Sequence, residues 1–591
     1  MIIDNPQLVG QVISELRRVV ELDTNNLDAR VSLGTYYIAA YQQSKDEKDR
    51  GDFLKESERL VKEVLDKDPN HIEAHILRGT VLFAQGKREE SYAALTRAVE
   101  LNPQRIESLM SLALFHRQMN DAAKAEEVYK RALSINDRSA LAHLEYAKFF
   151  ISQNRPDMAE AEFRRAVEVE PAHREARRTL ASFYLVNKQL DRAEESFKAL
   201  AELDRDRPEG RAVLADFYAS IGRYDEAANI YQEIVAKSAD YARGRHRLAE
   251  LMLQRGDQAG AEAQIKEALT RNANDREALI LNARLRLNKD EAKAAIEDLK
   301  QVLKIEPRDQ AGLYFMAEAC FRAGQIEQAR IFAGDLEKFY PEYLPAKLMQ
   351  VQINLAAGDA ANAGRLASDL LARLDKAAPD ARNSPQLLNE LRAKTLTARA
   401  TTYLQSQPQN TSAARTDFAA ARDLTPNAPS AHNNLAAVAL AERKTDEAVQ
   451  HYEHALSLDA GSFDALNGLI SLYMGQGKFQ EAQARVDQAI AGRPTSAPLY
   501  FLKAGIYGRL GGVAEAEGNV EQLKQYAQQA EAQLRRALEL DPTFVPALNS
   551  LGAIYVKTNR PDEAITEFRR MSEKRPDDPT PYMLIGMVED G

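Results

Sequence analysis

Apolar residues recur along this chain at helical spacing and in the same short phrase. SYAALTRAVELNP (91–103), AEAEFRRAVEVEP (159–171), AIEDLKQVLKIEP (295–307), AARTDFAAARDLTP (413–426), AEAQLRRALELDP (530–542) and AITEFRRMSEKRP (564–576) all follow it. Each carries a small residue, a large apolar residue four on, another apolar residue three on, and a proline five later. Those offsets put the apolar side chains on one face of a helix that the proline ends. A second phrase supplies a partner helix: SLGTYY (32–37), TLASFY (179–184), VLADFY (213–218), RLAELM (247–252) and SLGAIY (550–555). Between the two helices stands a glycine or asparagine at one fixed place: Gly86, Asn120, Asn154, Gly222, Gly256, Gly324, Gly358, Gly477, Gly511 and Asn559. Both residue types tolerate the left-handed backbone that closes a helix and reverses the chain.

The period is 34 residues, and full units start at 27, 72, 106, 140, 174, 208, 242, 276, 310, 344, 395, 429, 463, 497 and 545. These fifteen are called repeats 1 to 15 below, and the two helices of each are its A and B helices. Position 20 is alanine in thirteen repeats and serine in two (Ser57, Ser91); position 32 is proline in nine. Insertions of about 11, 17 and 14 residues fall near 41–53, 378–394 and 512–527. The first and third are expected to lengthen helices. The second, with KAAPDARNSPQ (376–386), is the best break. A helix pair this thin cannot bury its apolar face alone, so stacking is compulsory and stability is close to a nearest-neighbour sum. The expected fold is all-α. An N-terminal array of a half repeat and ten repeats (1–377) precedes a linker (378–394) and a C-terminal array of five repeats and a half (395–591).

The phrases resemble the tetratricopeptide (TPR) repeat over nearly the whole chain. Leu180, Ala181, Tyr184, Ala193 and Phe197 follow the family pattern, as do Leu214, Ala215, Tyr218, Ala227 and Tyr231. The family tryptophan is missing: His75, Arg177, Arg211, Arg245 and Leu548 stand in its place. The resemblance implies a right-handed α-solenoid superhelix whose A helices line a concave groove. It also implies a non-catalytic protein–protein interaction scaffold that takes a peptide or protein. The long array and the final YMLIGMVEDG are similar to large TPR proteins of bacterial exopolysaccharide and exosortase (PEP-CTERM) systems, which implies an envelope or secretion setting. Two other readings stay open: the regulatory arm of a larger enzyme, and an array that self-associates end to end.

Family geometry makes positions 2, 5, 9, 12 and 13 concave. In the first three repeats these are largely apolar: Val31, Ile38, Ile76, Phe83, Met110 and Leu114. Either a partner or the first insertion would cover them. Repeats 4 to 9 carry Lys148, Arg178, Asp216, His246, Glu250, Arg284, Glu318 and Arg322 there, either contacting a ligand or paired within the array. Position 5 becomes asparagine at 433, 467 and 549. Asparagine donates and accepts together, so Asn433, Asn467 and Asn549 are candidates for holding an extended peptide backbone, or simply solvate an open groove. With Arg178, His246, Arg284 and Arg322 they form the candidate partner-binding set. The chaperone carboxylate clamp and the asparagine ladder of O-GlcNAc transferases are both absent as patterns.

Composition narrows the field. The 591 residues carry 78 Lys plus Arg against 88 Asp plus Glu, a net charge of −10. That balance disfavours general nucleic-acid binding. One cysteine, Cys320, excludes an internal disulfide and a four-cysteine zinc site. No run of about 18 apolar residues exists to span a membrane. The opening MIIDNPQLVGQV has neither a basic region nor an apolar core, so no signal peptide is read there. The compartment therefore stays unassigned. Residues 6–22 read as a B helix without its A helix, and 579–591 as an A helix without its B helix. Ile13, Leu16, Val20, Tyr582 and Ile585 would then lie partly bare, as in a piece of a longer protein. No phosphate loop, nucleophile elbow or dinucleotide fingerprint occurs. HIEAH (71–75) and HYEH (451–454) pair histidines on a helix, but the first lacks the zinc-protease glutamate position. No catalytic, cofactor-binding or metal-ligating residue is assigned, and no enzyme is expected.

Overall fold

The computed structural model describes residues 6–44, 46–379, 383–542, 544–558, 560–574 and 579–589. Among these the chain forms thirty-two α-helices and no strand. They fall into two compact units, Met1–Thr270 and Arg271–Gly591. The first holds the lone helix Pro6–Leu22 and repeats 1 to 7; the second holds repeats 8 to 15 and the closing helix Pro579–Glu589. A standard A helix has 13 residues (Ile72–Ala84) and a standard B helix 14 (Arg88–Leu101).

The insertions lengthen helices. Repeat 1 has Leu27–Gln43 and Glu47–Lys67, with 17 and 21 residues; repeat 14 has Ala497–Ala516 and Val520–Leu540, with 20 and 21. Within the second insertion, residues 380–382 lie outside the described set. Pro385–Gln405 is one helix, capped by the Ser384 hydroxyl on the Leu387 amide. Leu388 and Leu391 are buried with Leu370, Leu371 and Leu374 of the preceding helix Ala360–Lys376.

Position 15 holds the left-handed turn. Gly86, Asn120, Asn154, Gly222, Gly256, Gly324, Gly358 and Gly477 all have φ between 55° and 82°. Gly511 does not: it lies inside Ala497–Ala516, because the insertion extends that helix, and Gly518 turns instead at φ 72°. Asn559 lies outside the described residues. Lys188, Asp290 and Arg443 adopt the same conformation at φ 58° to 61°, although each has a Cβ. The strain is offset by the same two closing bonds the glycine turns make. Lys188 N donates to Leu185 O at 3.0 Å and Gln189 N to Tyr184 O at 2.9 Å, matching Gly86 to Phe83 and Lys87 to Leu82.

Close approach of A and B helices depends on positions 8 and 20. All thirteen position-20 alanines are buried. Where position 20 is serine, position 8 is glycine: Ser57 Oγ donates to Gly34 O at 3.0 Å and Ser91 Oγ to Gly79 O at 2.7 Å. A Cβ on Gly79 would sit 2.5 Å from Leu95 Cγ.

In several repeats the missing tryptophan is replaced by a polar staple, though Arg211 bonds Glu233 instead and Leu548 is simply buried. In the stapled repeats that position reaches back to the carbonyl six residues earlier: His75 Nε2 to Pro69 O at 2.9 Å, Arg245 to Ala239 O at 3.4 Å and Tyr500 to Pro494 O at 3.0 Å. Arg177 does the same to Pro171 O. The staple ties an A helix to the turn that introduces it.

In the first unit a continuous apolar core runs from Leu95 to Leu251, preceded by two smaller clusters around repeats 1 and 2. In the second, the core is divided among several smaller clusters. A charged clamp also crosses interfaces in the first unit. Glu194 accepts from the Tyr218 hydroxyl at 2.9 Å and from Arg223 at 2.6 Å, and the Arg223 guanidinium lies 4.4 Å from the Tyr218 ring centre. Glu160, Tyr184 and Arg192 repeat the arrangement one interface earlier.

Candidate partner-binding groove

The A helices of repeats 1 to 3 and the B helix Arg88–Leu101 line an open cavity of about 400 Å³. Ile38, Phe83, Leu95, Leu114 and Phe115 form its apolar wall; Tyr41 and Gln42 close one end. Those last two belong to the turn that the first insertion adds to helix Leu27–Gln43. Thr80, Ser111 and Gln118 supply the polar part, and no lining residue carries a charge. Of the apolar residues read from the sequence, Val31, Ile38 and Met110 are buried, while Ile76, Phe83 and Leu114 are half-buried. The insertion builds a wall of this groove and leaves it open. Sequence reading did not single out Tyr41, Gln42, Thr80, Ser111 or Gln118. The available signal was the largely apolar character of positions 5, 9, 12 and 13 in three successive A helices, since position 2 carries Asp28, Glu73 and Glu107.

Further along, the concave charges are mostly neutralised inside the array. Lys148 bonds Glu145 and Glu175, each at 2.7 Å. Asp216 takes Arg243 at 3.1 Å, Arg247 at 3.2 Å and the Tyr231 hydroxyl at 2.6 Å. Arg247 also holds Glu250 at 2.6 Å. Arg322 bonds Glu318 at 2.5 Å and the Leu287 carbonyl at 2.9 Å. Arg284 lies over the Phe315 ring at 5.6 Å, and His246 also has an interaction within the fold. Arg178 has no such partner among the described residues; it lines a second, smaller cavity with Arg174 and Arg207.

Asn433, Asn467 and Asn549 sit on the A helices of repeats 12, 13 and 15. Asn433 is half-buried with its Oδ1 enclosed and unbonded, and the other two are exposed. In repeat 14 the same position is Phe501, so the amides do not form an unbroken row.

The histidine pairs have structural surroundings. His71 caps its helix through Nδ1 on the Ala74 amide, and His75 serves as a staple. His451 and His454 are joined by a residue the sequence reading did not connect with them, the buried His432. Its Nδ1 lies 3.3 Å from His451 Nδ1, and its ring centre 4.1 Å from that of His454. Burial, reinforced by the neighbouring His454 and His451, pushes His432 down to about 4. Among the described residues no group of three or more His, Cys, Asp or Glu side chains is placed to hold a metal ion. Cys320 is buried in a packing position, and burial raises its thiol above the ordinary range.

At the ends the sequence expectation needs one correction. Ile13 is buried, with Val9, against Leu33 and Tyr37 of repeat 1, because the lone first helix packs there as a B helix would. Leu16, Val20 and Ile585 are half-buried and Tyr582 is exposed. No helix among the described residues is long and apolar enough to cross a membrane.

One tetratricopeptide repeat sequence profile matches residues 153–217, 220–285, 287–353, 439–506 and 524–587, and a second matches 76–143 and 403–465. The chain belongs to the tetratricopeptide repeat family. As a tetratricopeptide repeat protein it is a protein-interaction scaffold. A curated relative is cellulose synthase operon protein C of Xanthomonas axonopodis pv. citri (strain 306), 31% identical over 174 residues. That match spans 27% of this chain and 11% of the relative. Among solved structures, the APC/C hetero-tetramer Cut9–Hcn1 is similar at a TM-score of 0.43 and 13% identity, covering 88% of this chain and 96% of that one. Yeast Tom70 is similar at 0.40 and 18% identity, covering 76% and 95%.

Proposed function

We propose that this tetratricopeptide repeat protein holds an uncharged, apolar segment of a protein partner in the groove of repeats 1 to 3. The observation that carries this reading is the cavity of about 400 Å³ lined without a single charge, in a chain whose residues are 28% charged. Leaving half-buried Phe83 and Leu114 beside open space forgoes apolar burial that a ligand side chain would recover. Backbone polar groups of the bound segment would meet Thr80, Ser111, Gln42 and Gln118. The work is positional, with no bond made or broken. The resemblance to a cellulose synthase operon protein supports a place in a bacterial polysaccharide-assembly system. On the same reading Asn433, Asn467 and Asn549 offer amides to a partner that extends along the second unit.

The test is selection of a random peptide library on the intact chain, followed by affinity measurement on Leu114→Glu. Enriched peptides should be apolar, and Leu114→Glu should weaken them at least tenfold, because it puts a charge against an apolar ligand. Peptides that bind Leu114→Glu as tightly as the parent chain would remove the groove. A triple Asn433→Ala, Asn467→Ala, Asn549→Ala variant with unchanged affinity for every selected peptide would remove the asparagines from the proposal.

A further inference from the structure

Arg178, half-buried, lines a cavity of about 130 Å³ between the helices Arg174–Val186, Leu190–Leu203 and Pro208–Ser220. The other lining residues are Arg174, Leu200, Asp204, Arg207, Glu209, Gly210 and Val213. Of the eight charged concave residues in repeats 4 to 9, Arg178 is the exception. The other seven have an ion pair, a ring contact or another interaction within the fold. An arginine carries five donors in a rigid fork and cannot discharge itself by losing a proton, so a half-buried one without a partner retains unused binding capacity.

Its neighbours do not fill that capacity. Asp204 is taken up by Arg174 in a two-pronged pair at 2.7 and 2.8 Å. That pairing, with a smaller contribution from Arg207, holds the Asp204 carboxyl below the ordinary carboxylate range. Glu209 lines the cavity without pairing to Arg178. Three guanidinium groups thus face two carboxylates, leaving one positive charge in excess within a chain of net charge −10. Leu200 and Val213 keep water from one side and weaken screening there. The cavity is the size of a side-chain head group. One excess charge matches a monoanion, and Glu209 on the rim disfavours a phosphate dianion.

We propose that this cavity is an anion subsite of the concave side that takes the carboxylate of an Asp or Glu side chain from an acidic peptide segment of the partner. It deepens the reading of the concave side as the partner-binding side: a segment that is apolar at repeats 1 to 3 carries an acidic residue where it passes repeat 5. Arg178 would bond the incoming carboxylate through its fork, and Arg207 would add long-range attraction.

The experiment uses the intact chain and three fluorescent capped peptides of one frame, bearing glutamates, glutamines or phosphoserines. The glutamate peptide should bind, weaken as salt rises, and lose about tenfold in affinity with Arg178→Gln. Arg178→Lys, which keeps the charge without the fork, should lose less. The glutamine peptide should bind no better than the labelled frame. Arg178→Gln should melt no lower than the parent chain, since it orphans no partner, whereas Arg174→Gln should melt lower by stripping Asp204. Equal glutamate affinity in Arg178→Gln, equal binding of the glutamine peptide, or a larger Arg178-dependent gain for phosphoserine would each overturn the assignment. Leu114→Glu separates the two proposals: it should leave glutamate-peptide affinity unchanged, so the subsite can stand where the apolar groove fails, and the reverse.

Discussion

In the N-terminal unit, Tyr129, Phe163 and Phe197 at position 24 meet Phe149, Phe183 and Phe217 of the following repeat, with ring centres 5.4, 5.6 and 4.7 Å apart. In the C-terminal unit the corresponding places in repeats 8 to 10 are Leu299, Ala333 and Ala367, and the following repeats carry Ala319, Ile353 and Leu404 where the phenylalanines stand. The charged clamp does not follow that division: it closes successive interfaces around Glu160 and Glu194 and recurs in the second unit at Glu531, Tyr555 and Arg560. Backbone design is the same in both units, down to the buried position-20 alanine. The aromatic pairs lie inside the core that runs from Leu95 to Leu251, and repeats 8 to 10, which lack them, have smaller separate clusters. For a nearest-neighbour solenoid this difference bears on how far a local disturbance travels.

The largest effect should come from cutting the continuous core. Phe163→Ala removes a fully buried ring and should cost roughly 3–5 kcal/mol. Hydrogen exchange should then rise across 95–251, well beyond repeat 4. Leu299→Ala should cost roughly 2–5 kcal/mol, with faster exchange confined to 283–353. If Phe163→Ala loosened only its own repeat, the comparison would lose its basis. Overpacking sharpens it from the other side. Ala227→Leu and Ala329→Leu should each cost roughly 1–3 kcal/mol, because position 20 is equally buried in both units. A tolerated leucine in one unit would show that the backbone approach differs after all.

Acid should separate the units next. His432 is buried and its folded-state value lies near 4, below the ordinary 6.5. The folded state therefore disfavours the proton that the unfolded chain accepts. The stability at stake is fully present above about pH 6.5 and is lost as pH falls toward 4, by up to about 3 kcal/mol locally. The groups facing His432 are His451 and His454, with Arg422 on the preceding B helix, all of which disfavour a second positive charge. Glu447, near His451, is already occupied by Arg415. Exchange in repeat 12 should accelerate between pH 6.5 and 4, most strongly around His432. His432→Phe should abolish that pH step, and its persistence would move the cause elsewhere.

How much of this was legible beforehand follows from which forces act at fixed spacing. The hairpins, their starts and the buried position-20 alanines depend on contacts that recur every 34 residues, so one period reveals them all. Lys188, Asp290 and Arg443 escaped because the turn's hydrogen bonds, not the residue type, hold a left-handed conformation there. Gly511 misled because an inserted turn moved the helix end to Gly518. The uncharged groove was half visible as Ile38, Phe83 and Leu114; Tyr41 and Gln42 depended on how the insertion would fold. Most concave charges could not be sorted in advance. Lys148 and Asp216 are satisfied by residues about 30 positions away, and the isolation of Arg178 is a property of three packed helices.

The smallest expected effect tests the clamp. Glu194 is held at about 2 by Lys198, then by the Tyr218 hydroxyl and Arg223. A depressed carboxyl contributes stability above its ordinary value of 4.5 and loses it as pH falls toward 2. The pair is partly open to solvent, so Glu194→Gln should cost only about 0.5–1 kcal/mol at neutral pH, read from urea unfolding of the first unit. It should also flatten that unit's acid profile between 4.5 and 2. Tyr218→Phe alone should cost less, and combining the two should cost less than their sum, since the hydroxyl has nothing left to donate to. Glu531→Gln removes the same acceptor from Tyr555 and Arg560 in the second unit, where Leu534 and Ile554 stand in place of the aromatic pair. If the clamp merely decorates the aromatic interface, Glu531→Gln should be silent while Glu194→Gln is not. If the clamp holds neighbouring repeats by itself, the two costs should match. Similar costs are the expected outcome, because at both places the carboxylate takes the tyrosine hydroxyl and an arginine that lies over the ring; Arg535, which also donates to the Tyr555 hydroxyl at 2.8 Å, keeps that hydroxyl bonded and makes the Glu531→Gln cost the slightly smaller one.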